Sequence, residues 1–503
     1  MSLSQLFPSA ASSAGDSSQS QSALSDADSS SSNDSISILQ PFGYSASACG
    51  YCSEVKGERS RAKSSKSYGC WAHTLSCSTY KMLLDRGWRR SGCYLYKPDN
   101  ANTCCVQYTI SQDSSKFRPS RSQRQVLQRF SNFVKEGGRT GERGWGPAKT
   151  SADSTELAED RTKDDKAKAK GKGKAKHQHP IEYSELVGGG DWSHSPSDHP
   201  FKHKFEYVVE PASYTDEKYA LFKRYQMEVH SEPESKVSVK GFKRFLVDTP
   251  LDLEPTSLNG VSYGSHHALY RLDGVLIAFA VLDLLPQAVS SVYFVWNPDW
   301  AGMSLGKVSA LREIDMVRNL ESRGLWEAGK GRYMMGYYIE VPKMRYKADY
   351  QPSFLLDPAT NVYYPWEHCK PLVSAAMPRA ASFSNPASNP PATISTETAS
   401  SHGTNSGSQK QNEADRARDS GESEDDEDEE DIQFPIPPPP GCLDPHKLPK
   451  TLLLNSYVLE SRTLVPVVIS TVWHEVDGQR EVKELLAATG EALAGRMAIW
   501  MGR

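Results

Sequence analysis

The first two cysteines of the chain, Cys49 and Cys52, are separated by two residues in the motif CGYC. Two thiolates at this spacing can reach one metal ion from a tight turn. The adjacent pair Cys104 and Cys105 supplies the two further thiolates of a complete ligand set. Four thiolates suit Zn²⁺ and an iron–sulfur cluster about equally on ligand type. We therefore predict one metal centre on these four cysteines, holding zinc or an iron–sulfur cluster.

Two alternatives stay open for this block. In one, Cys104 and Cys105 are core residues while Cys49 and Cys52 are free thiols. In the other, further residues of the same block act as metal ligands, and these are Cys70, His73, Cys77 and Cys93.

Arginines and aromatic residues are interleaved in the segment DRGWRRSGCYLYKP, which contains Arg86, Arg89 and Arg90. The segment FRPSRSQRQVLQR that follows adds Arg121 and Arg124. Guanidinium groups bind phosphate and carboxylate through paired hydrogen bonds. The pattern predicts anion binding, either to nucleic acid or to a carboxylate, and the alternative is a solvated basic face.

A third motif, SLGK, places Ser304, Gly306 and Lys307 where a helix begins. The backbone N–H groups and the dipole of a helix N-terminus favour a phosphate there. The motif lacks the spacing of a P-loop. It also lacks the R/Q-x-x-G-x-G/A loop with which GNAT-type acetyltransferases hold coenzyme A. We therefore expect phosphate binding at Ser304 and Lys307, without coenzyme A.

The elements that position these residues follow from hydrophobic patterning. The apolar runs 275–282 and 289–296 are typical of buried central strands. The pair Asp273-Gly274 predicts a tight hairpin turn before the first run. A helix is expected just after Ser304, and YMMGYYIE is expected to form a further strand. The sequence predicts an α+β fold.

Composition divides the chain of 503 residues into ordered and low-complexity parts. Residues 49–135 hold 16 Lys and Arg against five Asp and Glu, whereas nine of the ten residues 422–431 are acidic. The predicted organisation is a disordered Ser-rich leader (1–48), a Cys-rich basic domain (49–135), a Lys-rich linker (136–200), a second domain (201–375), a disordered acidic and Pro-rich segment (376–440) and an appended element of unknown role (441–503).

Several classes of protein are excluded by the same composition. The sequence has no run of about 18 apolar residues, so no membrane partner is expected. The N-terminal residues lack the basic and apolar regions of a secretory signal. Seven of the nine cysteines lie between Cys49 and Cys105, which favours a reduced compartment over a disulfide framework. The expected location is the cytoplasm, with the nucleus as a second expectation.

The motifs of both blocks together resemble a known family. CGYC, AHTLS, YKMLLDRGWRRSGCYLYKP, TCCVQYTI and FRPSRSQRQVL closely resemble the N-terminal region of eukaryotic arginyl-tRNA–protein transferases. The match continues through KYALFKRYQMEVH, LIAFAVLDLLPQAVSSVYFVWNPDW, SLGKVSALREI and MMGYYIEVPKMRYKADYQPSFLL. The resemblance covers most of 49–135 and 203–373.

The resemblance implies a GNAT-like acyltransferase domain with a central mixed sheet, in which arginyl-tRNA replaces acyl-coenzyme A. It implies transfer of arginine from Arg-tRNA to the α-amino group of proteins that begin with Asp, Glu or oxidised Cys. Such proteins are thereby marked for ubiquitin-dependent degradation in the N-degron pathway, with ubiquitin-ligase machinery acting downstream. An aminoacyl ester is already activated, so holding the amine and the ester together provides much of the rate.

The implied reaction suggests roles for particular residues. Asp283, at the end of a predicted central strand, is the first candidate for an acid, base or amine-orienting group, and His266 is the second. The alternatives are a turn-capping aspartate and a structural histidine. Lys343 and Arg345, in VPKMRYK, are candidate cations for the acidic acceptor residue or for the tRNA, and the alternative is a solvated loop.

The Arg89–Arg90 pair is a further candidate for the acceptor carboxylate, whereas Arg86, Arg121, Arg124, Lys307 and Ser304 are candidates for tRNA. Arg312 and Glu313 are expected to be structural. The alternative function is a non-catalytic reader of acidic N-termini or an RNA-binding module. An acetyl-coenzyme A-dependent acetyltransferase comes third.

Overall fold

The computed structural model describes residues 35–52, 59–137, 182–377, 379–389 and 430–502. Within these residues the strands form two sheets, which we call the N-terminal sheet and the central sheet. The Lys-rich run at 166–176 and the acidic run up to residue 429 lie outside the described residues. No helix in the described ranges combines the length and the apolar character needed to cross a membrane.

The N-terminal sheet combines strands from both ends of the chain. Its members are β1 (Ser37–Ser47), β2 (Ser65–Thr74), β3 (Arg89–Ser91), β4 (Tyr94–Pro98), β14 (Glu430–Asp431), β15 (Tyr457–Glu460), β16 (Thr463–Pro466) and β17 (Met497–Ile499). They lie in the order β16-β15-β17-β1-β2-β4-β3, and β14 pairs with β1. β1 and β17 are parallel, with Ser37 opposite Met497. The predicted appended element 441–503 therefore completes this sheet.

Strand β1 differs from the disordered leader that we predicted for 1–48. Its Leu39 and Tyr44 are buried, and it pairs with β2 along most of its length. Because these apolar residues are few among many serines, the composition of the segment predicts disorder. The residues that bury them come from segments distant in the sequence. The rest of the leader, residues 1–34, lies outside the described residues.

The central sheet is mixed. Its members are β5 (Tyr108–Asp113), β6 (Phe205–Pro211), β7 (Glu254–Pro255), β8 (Ser262–Leu272), β9 (Val275–Leu285), β10 (Ala288–Trp296), β11 (Arg332–Tyr338), β12 (Ser353–Leu356) and β13 (Tyr363–Pro365). They lie in the order β13-β12-β5-β11-β10-β9-β8-β6, and β7 pairs with β8. The expected mixed sheet and the buried central strand β9 are confirmed, and Asp273 and Gly274 both have the positive φ of the expected turn. β10 is a central strand as expected, but most of its residues from Ser291 to Trp296 are only half-buried.

One strand of the first block belongs to the central sheet. β5 lies between β11 and β12, so the boundary predicted at 135 does not separate the two sheets. The helix that ends the first block also packs against the second block. The helices are α1 (Cys77–Leu84), α2 (Arg121–Glu136), α3 (Tyr183–Gly188), α4 (Asp216–Val229), α5 (Val239–Phe242), α6 (Leu305–Ser322), α7 (Trp366–Ala376), α8 (Lys450–Leu454) and α9 (Val476–Thr489). α3 lies within the segment predicted to be a linker.

The parallel strands β10 and β11 pair only at one end. Their register runs from Ala288 opposite Arg332 to Ser290 opposite Met334. Beyond this point β10 stays paired with β9 up to Trp296, and β11 pairs with β5 up to Tyr338. Helix α6 packs against both strands at this divergence. A cavity therefore opens between the two strands and the beginning of α6.

Candidate functional site

The cavity between β10, β11 and α6 has a volume of about 570 Å³. This size lies within the usual range for small-molecule and cofactor sites. Much of its wall is aromatic, formed by Tyr225, Tyr293, Phe294, Trp296, Tyr333 and Tyr346. Aromatic faces attract cations and stack on planar groups. The cavity can therefore accommodate a partly apolar ligand that carries a cationic or planar group.

Two residues of the SLGK motif lie at the cavity. Ser304 is the N-cap of α6 with φ 56°, and Lys307 is exposed in the first turn. The Ser304 hydroxyl accepts a hydrogen bond of 3.1 Å from Arg129 of α2. Helix α2, whose exposed Arg121 and Arg124 were predicted to bind tRNA, therefore contacts the rim of the cavity. Phosphate binding at this helix N-terminus stays a prediction.

Glu313, which we expected to be structural, lines the cavity. Glu313 is nevertheless almost fully buried, with 1% of its surface exposed. The Tyr333 hydroxyl donates to Oε2 at 2.5 Å, and the Ser309 hydroxyl donates to Oε1. Burial raises the pKa of the Glu313 carboxyl above its ordinary value. Its neighbour Arg312 is structural as expected, since it forms a buried ion pair of 2.6 Å with Asp191.

Lys347 is a cavity residue that the sequence reasoning missed. It lies on a short 3-10 turn, Arg345–Asp349, that follows β11. Its Nζ is buried and donates to the carbonyl of Tyr337 at 2.8 Å. Burial, and secondarily the charge of Arg89, lowers the pKa of Lys347 to about 7. A lysine of this kind can take up and release a proton near neutral pH.

The two cations that the sequence did select from this segment lie further out. Arg345 is 56% exposed and its Nε lies 2.6 Å from Oε1 of Glu340. Lys343 is exposed. The pKa of His230 is lowered mainly by burial of its own side chain and secondarily by the positive charge of Lys343. His230 Nε2 in turn lies 3.5 Å from the hydroxyl of the cavity residue Tyr293.

Asp283 and Arg90 lie against each other in a fully buried pair. Arg90 Nε donates to Oδ2 at 2.9 Å, and its Nη2 donates to Oδ1 at 2.6 Å. The Ser265 hydroxyl donates to Oδ1 at 2.8 Å. The pair joins β3 of the N-terminal sheet to β9 of the central sheet. Asp283 is 0% exposed, so this placement argues against contact with a substrate.

His266 and Arg89 are also interior residues. His266 is 1% exposed and its Nδ1 lies 3.1 Å from the carbonyl of Gly264. Arg89 donates to the carbonyls of Trp88 and Gly336 and lies over the ring of Tyr337. The structure therefore argues against the catalytic roles expected for Asp283 and His266. It likewise argues against substrate binding by Arg89 and Arg90.

Arg86, the remaining tRNA candidate, is half-buried and donates to the carbonyl of Met82 at 3.3 Å.

The structure brings the four predicted metal ligands together. The Sγ atoms of Cys49, Cys52, Cys104 and Cys105 all lie within 4.8 Å of one another. Cys52 and Cys104 have an Sγ–Sγ distance of 3.6 Å. Zn–S bonds of about 2.3 Å in a tetrahedral site separate the sulfur atoms by about 3.8 Å. The cluster therefore fits a single metal ion, and the predicted convergence of these cysteines is confirmed.

The alternative metal ligands lie elsewhere. Cys70 and Cys77 belong to the core beneath the N-terminal sheet, and His73 Nε2 lies 2.9 Å from the side-chain oxygen of Gln40. Cys93 is outside the cluster. On its inner side the cluster packs against Tyr337 and Ile339, at the end of β11.

Comparisons with known proteins agree with this architecture. The chain matches the family models described as "Arginine-tRNA-protein transferase, N terminus" over residues 47–125 and "Arginine-tRNA-protein transferase, C terminus" over residues 217–357. It is 30% identical over 470 residues to Arginyl-tRNA--protein transferase 2 of Arabidopsis thaliana, which covers 67% of this chain and 76% of the relative.

Arginyl-tRNA--protein transferase 1 of Drosophila melanogaster is 31% identical over 411 residues, covering 66% of this chain and 82% of the relative. A bacterial relative, Aspartate/glutamate leucyltransferase of Stutzerimonas stutzeri, is 32% identical over 151 residues, covering 29% of this chain and 55% of the relative. The identities and coverage show that this chain is an aminoacyltransferase and belongs to the arginyl-tRNA–protein transferase family.

Proposed function

We propose that this chain transfers arginine from Arg-tRNA to the α-amino group of proteins that begin with Asp, Glu or oxidised Cys. The observation that carries the proposal is the cavity where β10 and β11 diverge, with a helix N-terminus at its rim and a buried lysine of low pKa in its wall. The mixed sheet and the strand–loop–helix at Ser304 support a GNAT-like acyltransferase domain.

The reaction needs one amine and one ester in the same place. The neutral α-amine of the acceptor attacks the ester carbonyl of Arg-tRNA, forming an amide bond. The bond to the terminal ribose oxygen of the tRNA breaks, and that oxygen leaves as a hydroxyl after taking up a proton. The attacking amine must lose one proton in the process. Because the ester is already activated, positioning of the two reactants supplies much of the rate.

Lys347 replaces Asp283 and His266 as our candidate for the catalytic base. The attacking nitrogen must lose one proton as it bonds to the ester carbon, and a base with a pKa near 7 is largely neutral at slightly alkaline pH and so is available to take that proton. The carbonyl of Tyr337 accepts one hydrogen bond from Lys347 Nζ and so fixes the position of the lysine side-chain amine. Lysine in its neutral form can then accept the proton from the attacking amine.

The tRNA is proposed to approach along α2 and the start of α6. The exposed Arg121, Arg124 and Lys307 provide positive charge on these two helices. Phosphate contacts of this kind supply salt-dependent affinity. The acidic first residue of the acceptor is proposed to bind Lys343, since Arg345 is already paired with Glu340.

The four cysteines are proposed to hold a structural Zn²⁺ ion. Their close spacing favours a single ion, because an iron–sulfur cluster lies between its thiolates and moves them apart. A closed set of four thiolates would hold the end of β11 against the N-terminal sheet, which positions the turn that carries Lys347. From the family resemblance we also propose that arginylated proteins undergo ubiquitin-dependent degradation in the cytoplasm.

Incubation with Arg-tRNA carrying radiolabelled arginine tests the proposed function. Label should appear in a peptide that begins with Asp and should be absent from the same peptide with an acetylated N-terminus. A peptide that begins with Asn serves as the control for acceptor charge. If the folded protein binds the Asp-peptide or the tRNA but transfers no label, it is a non-catalytic reader and the proposal is wrong.

A further inference from the structure

We propose that Glu313 is the residue that binds the guanidinium group of the transferred arginine and so selects Arg-tRNA over other aminoacyl-tRNAs. This inference rests on the proposed function, because it assigns part of the same cavity to the side chain of the amino acid.

The first argument is the position of the carboxyl group. Glu313 projects from α6 into the cavity, and among the described residues that line it this is the one acid. Its residue is 1% exposed, so a ligand in the cavity meets the carboxylate without competition from bulk water. A charge-assisted hydrogen bond in such surroundings is stronger than one at the surface.

The second argument is the absence of a partner charge. Within the described parts of the chain, no Lys, Arg or His nitrogen forms an ion pair with Glu313, although the other fully buried acid–base pairs have their cations in place. A buried ionised carboxylate without a cation is costly. A ligand that brings a cation removes this cost, whereas a neutral ligand does not.

The third argument is orientation. The hydroxyl of Tyr333 donates to Oε2 and that of Ser309 donates to Oε1, and Ser309 in turn accepts from Tyr270 at 3.1 Å. The network fixes both carboxylate oxygens before a ligand arrives. Fixed, paired oxygens match the planar fork of a guanidinium group, which forms two parallel hydrogen bonds with a carboxylate.

The walls beside Glu313 suit the same ligand. The rings of Tyr333 and Phe294 line the cavity, and planar guanidinium groups stack on aromatic faces. Leucine has neither a positive charge nor a planar polar end. The structure therefore assigns to Glu313 a preference for arginine over an apolar amino acid in the same kind of reaction.

Citrulline provides a sharp test, because it has the shape of arginine but a neutral urea end. The same tRNA is charged with arginine or with citrulline, and kcat/KM for transfer to an Asp-peptide is measured with the full chain. The wild-type protein should prefer arginine by about tenfold or more, the effect of one charge-assisted pair. Glu313→Gln should lower transfer of arginine by a similar factor and leave transfer of citrulline within about twofold.

Glu484→Gln is the matched control, because Glu484 is another acid whose pKa is raised by burial but lies on α9, in the part of the chain that completes the N-terminal sheet. This control should keep the wild-type preference. If Glu313→Gln fails to fold, Tyr333→Phe provides a second variant, because it keeps the carboxylate and removes one of its hydrogen bonds. Tyr333→Phe should reduce the preference for arginine over citrulline without abolishing transfer.

The outcomes separate the two proposals. If the wild-type protein transfers neither amino acid, the proposed function is wrong. If it transfers arginine but Glu313→Gln keeps the full preference over citrulline, Glu313 does not bind the guanidinium group. An equal loss for both amino acids, or a change confined to the KM of the acceptor peptide, also overturns the inference, because it assigns Glu313 to the reaction centre or to the acceptor.

Discussion

Replacement of Lys347 tests the assignment of the base most directly. With a pKa of about 7, about a tenth of the Lys347 side chains are neutral at pH 6 and about nine tenths at pH 8. If neutral Lys347 accepts the proton, its own titration should contribute a rise of about tenfold in kcat between these pH values, and this contribution should level off above pH 8. An ordinary lysine, with a pKa of about 10.4, would stay almost fully charged over this range.

The assay is the transfer of labelled arginine from saturating Arg-tRNA to a saturating Asp-peptide, measured from pH 5.5 to 9. Lys347→Met should lower kcat by about 10²-fold or more and remove the rise near pH 7. Lys347→Arg should behave similarly, because arginine keeps its proton throughout. The exposed Lys370→Met on α7 provides the control and should retain the wild-type profile.

The reasoning would be refuted by a Lys347→Met protein that is folded and keeps the same rise in kcat near pH 7. The titrating group would then be the acceptor amine or another residue, and positioning alone would account for the rate. A second acceptor with an α-amine of different pKa distinguishes these cases, because a rise that belongs to the amine moves with it.

Three further predictions concern the metal site, the interior and the tRNA surface. Cys52→Ser should lower the bound metal and the melting temperature together, since metal binding is coupled to folding; elemental analysis with unchanged metal content would contradict the assignment. Asp283→Asn should destabilise the protein by about 3–5 kcal/mol in urea unfolding, because it leaves Arg90 buried without its partner. An active double variant, Arg90→Met with Asp283→Leu, would show that this pair is structural. Arg124→Ala should weaken tRNA binding and reduce its salt slope by about one, whereas unchanged affinity and slope would exclude a phosphate contact.

The sequence identified residues well where spacing itself encodes geometry. The motif CGYC and the pair Cys104–Cys105 were enough to predict the cysteine cluster, because thiolates that share a metal must converge. The SLGK motif was placed correctly at the start of a helix, because a turn before a helical pattern is a local feature. These predictions needed no knowledge of long-range contacts.

Charged residues in the interior were the main failure. Asp283 and Arg90 lie far apart in the sequence and each looked available to a substrate, but each provides the partner of the other once the two sheets meet. The sequence does not distinguish Lys347 from Lys343 and Arg345, because three cations within five residues look equally exposed until the 3-10 turn directs one of them inward. The signal present in the sequence is that apolar Ala348 and aromatic Tyr350 follow Lys347, and the structure buries both.

The parallel pairing of β1 with β17 has a consequence for how the protein is made. β1 is translated before its neighbour β17, and nearly all of the described chain lies between the two strands. Until then β1 has an open edge, and open edges invite pairing with other chains. Contacts this distant in sequence also form slowly. The N-terminal sheet therefore cannot be completed until β17 has been translated, and until then the edge of β1 that β17 covers lacks that partner.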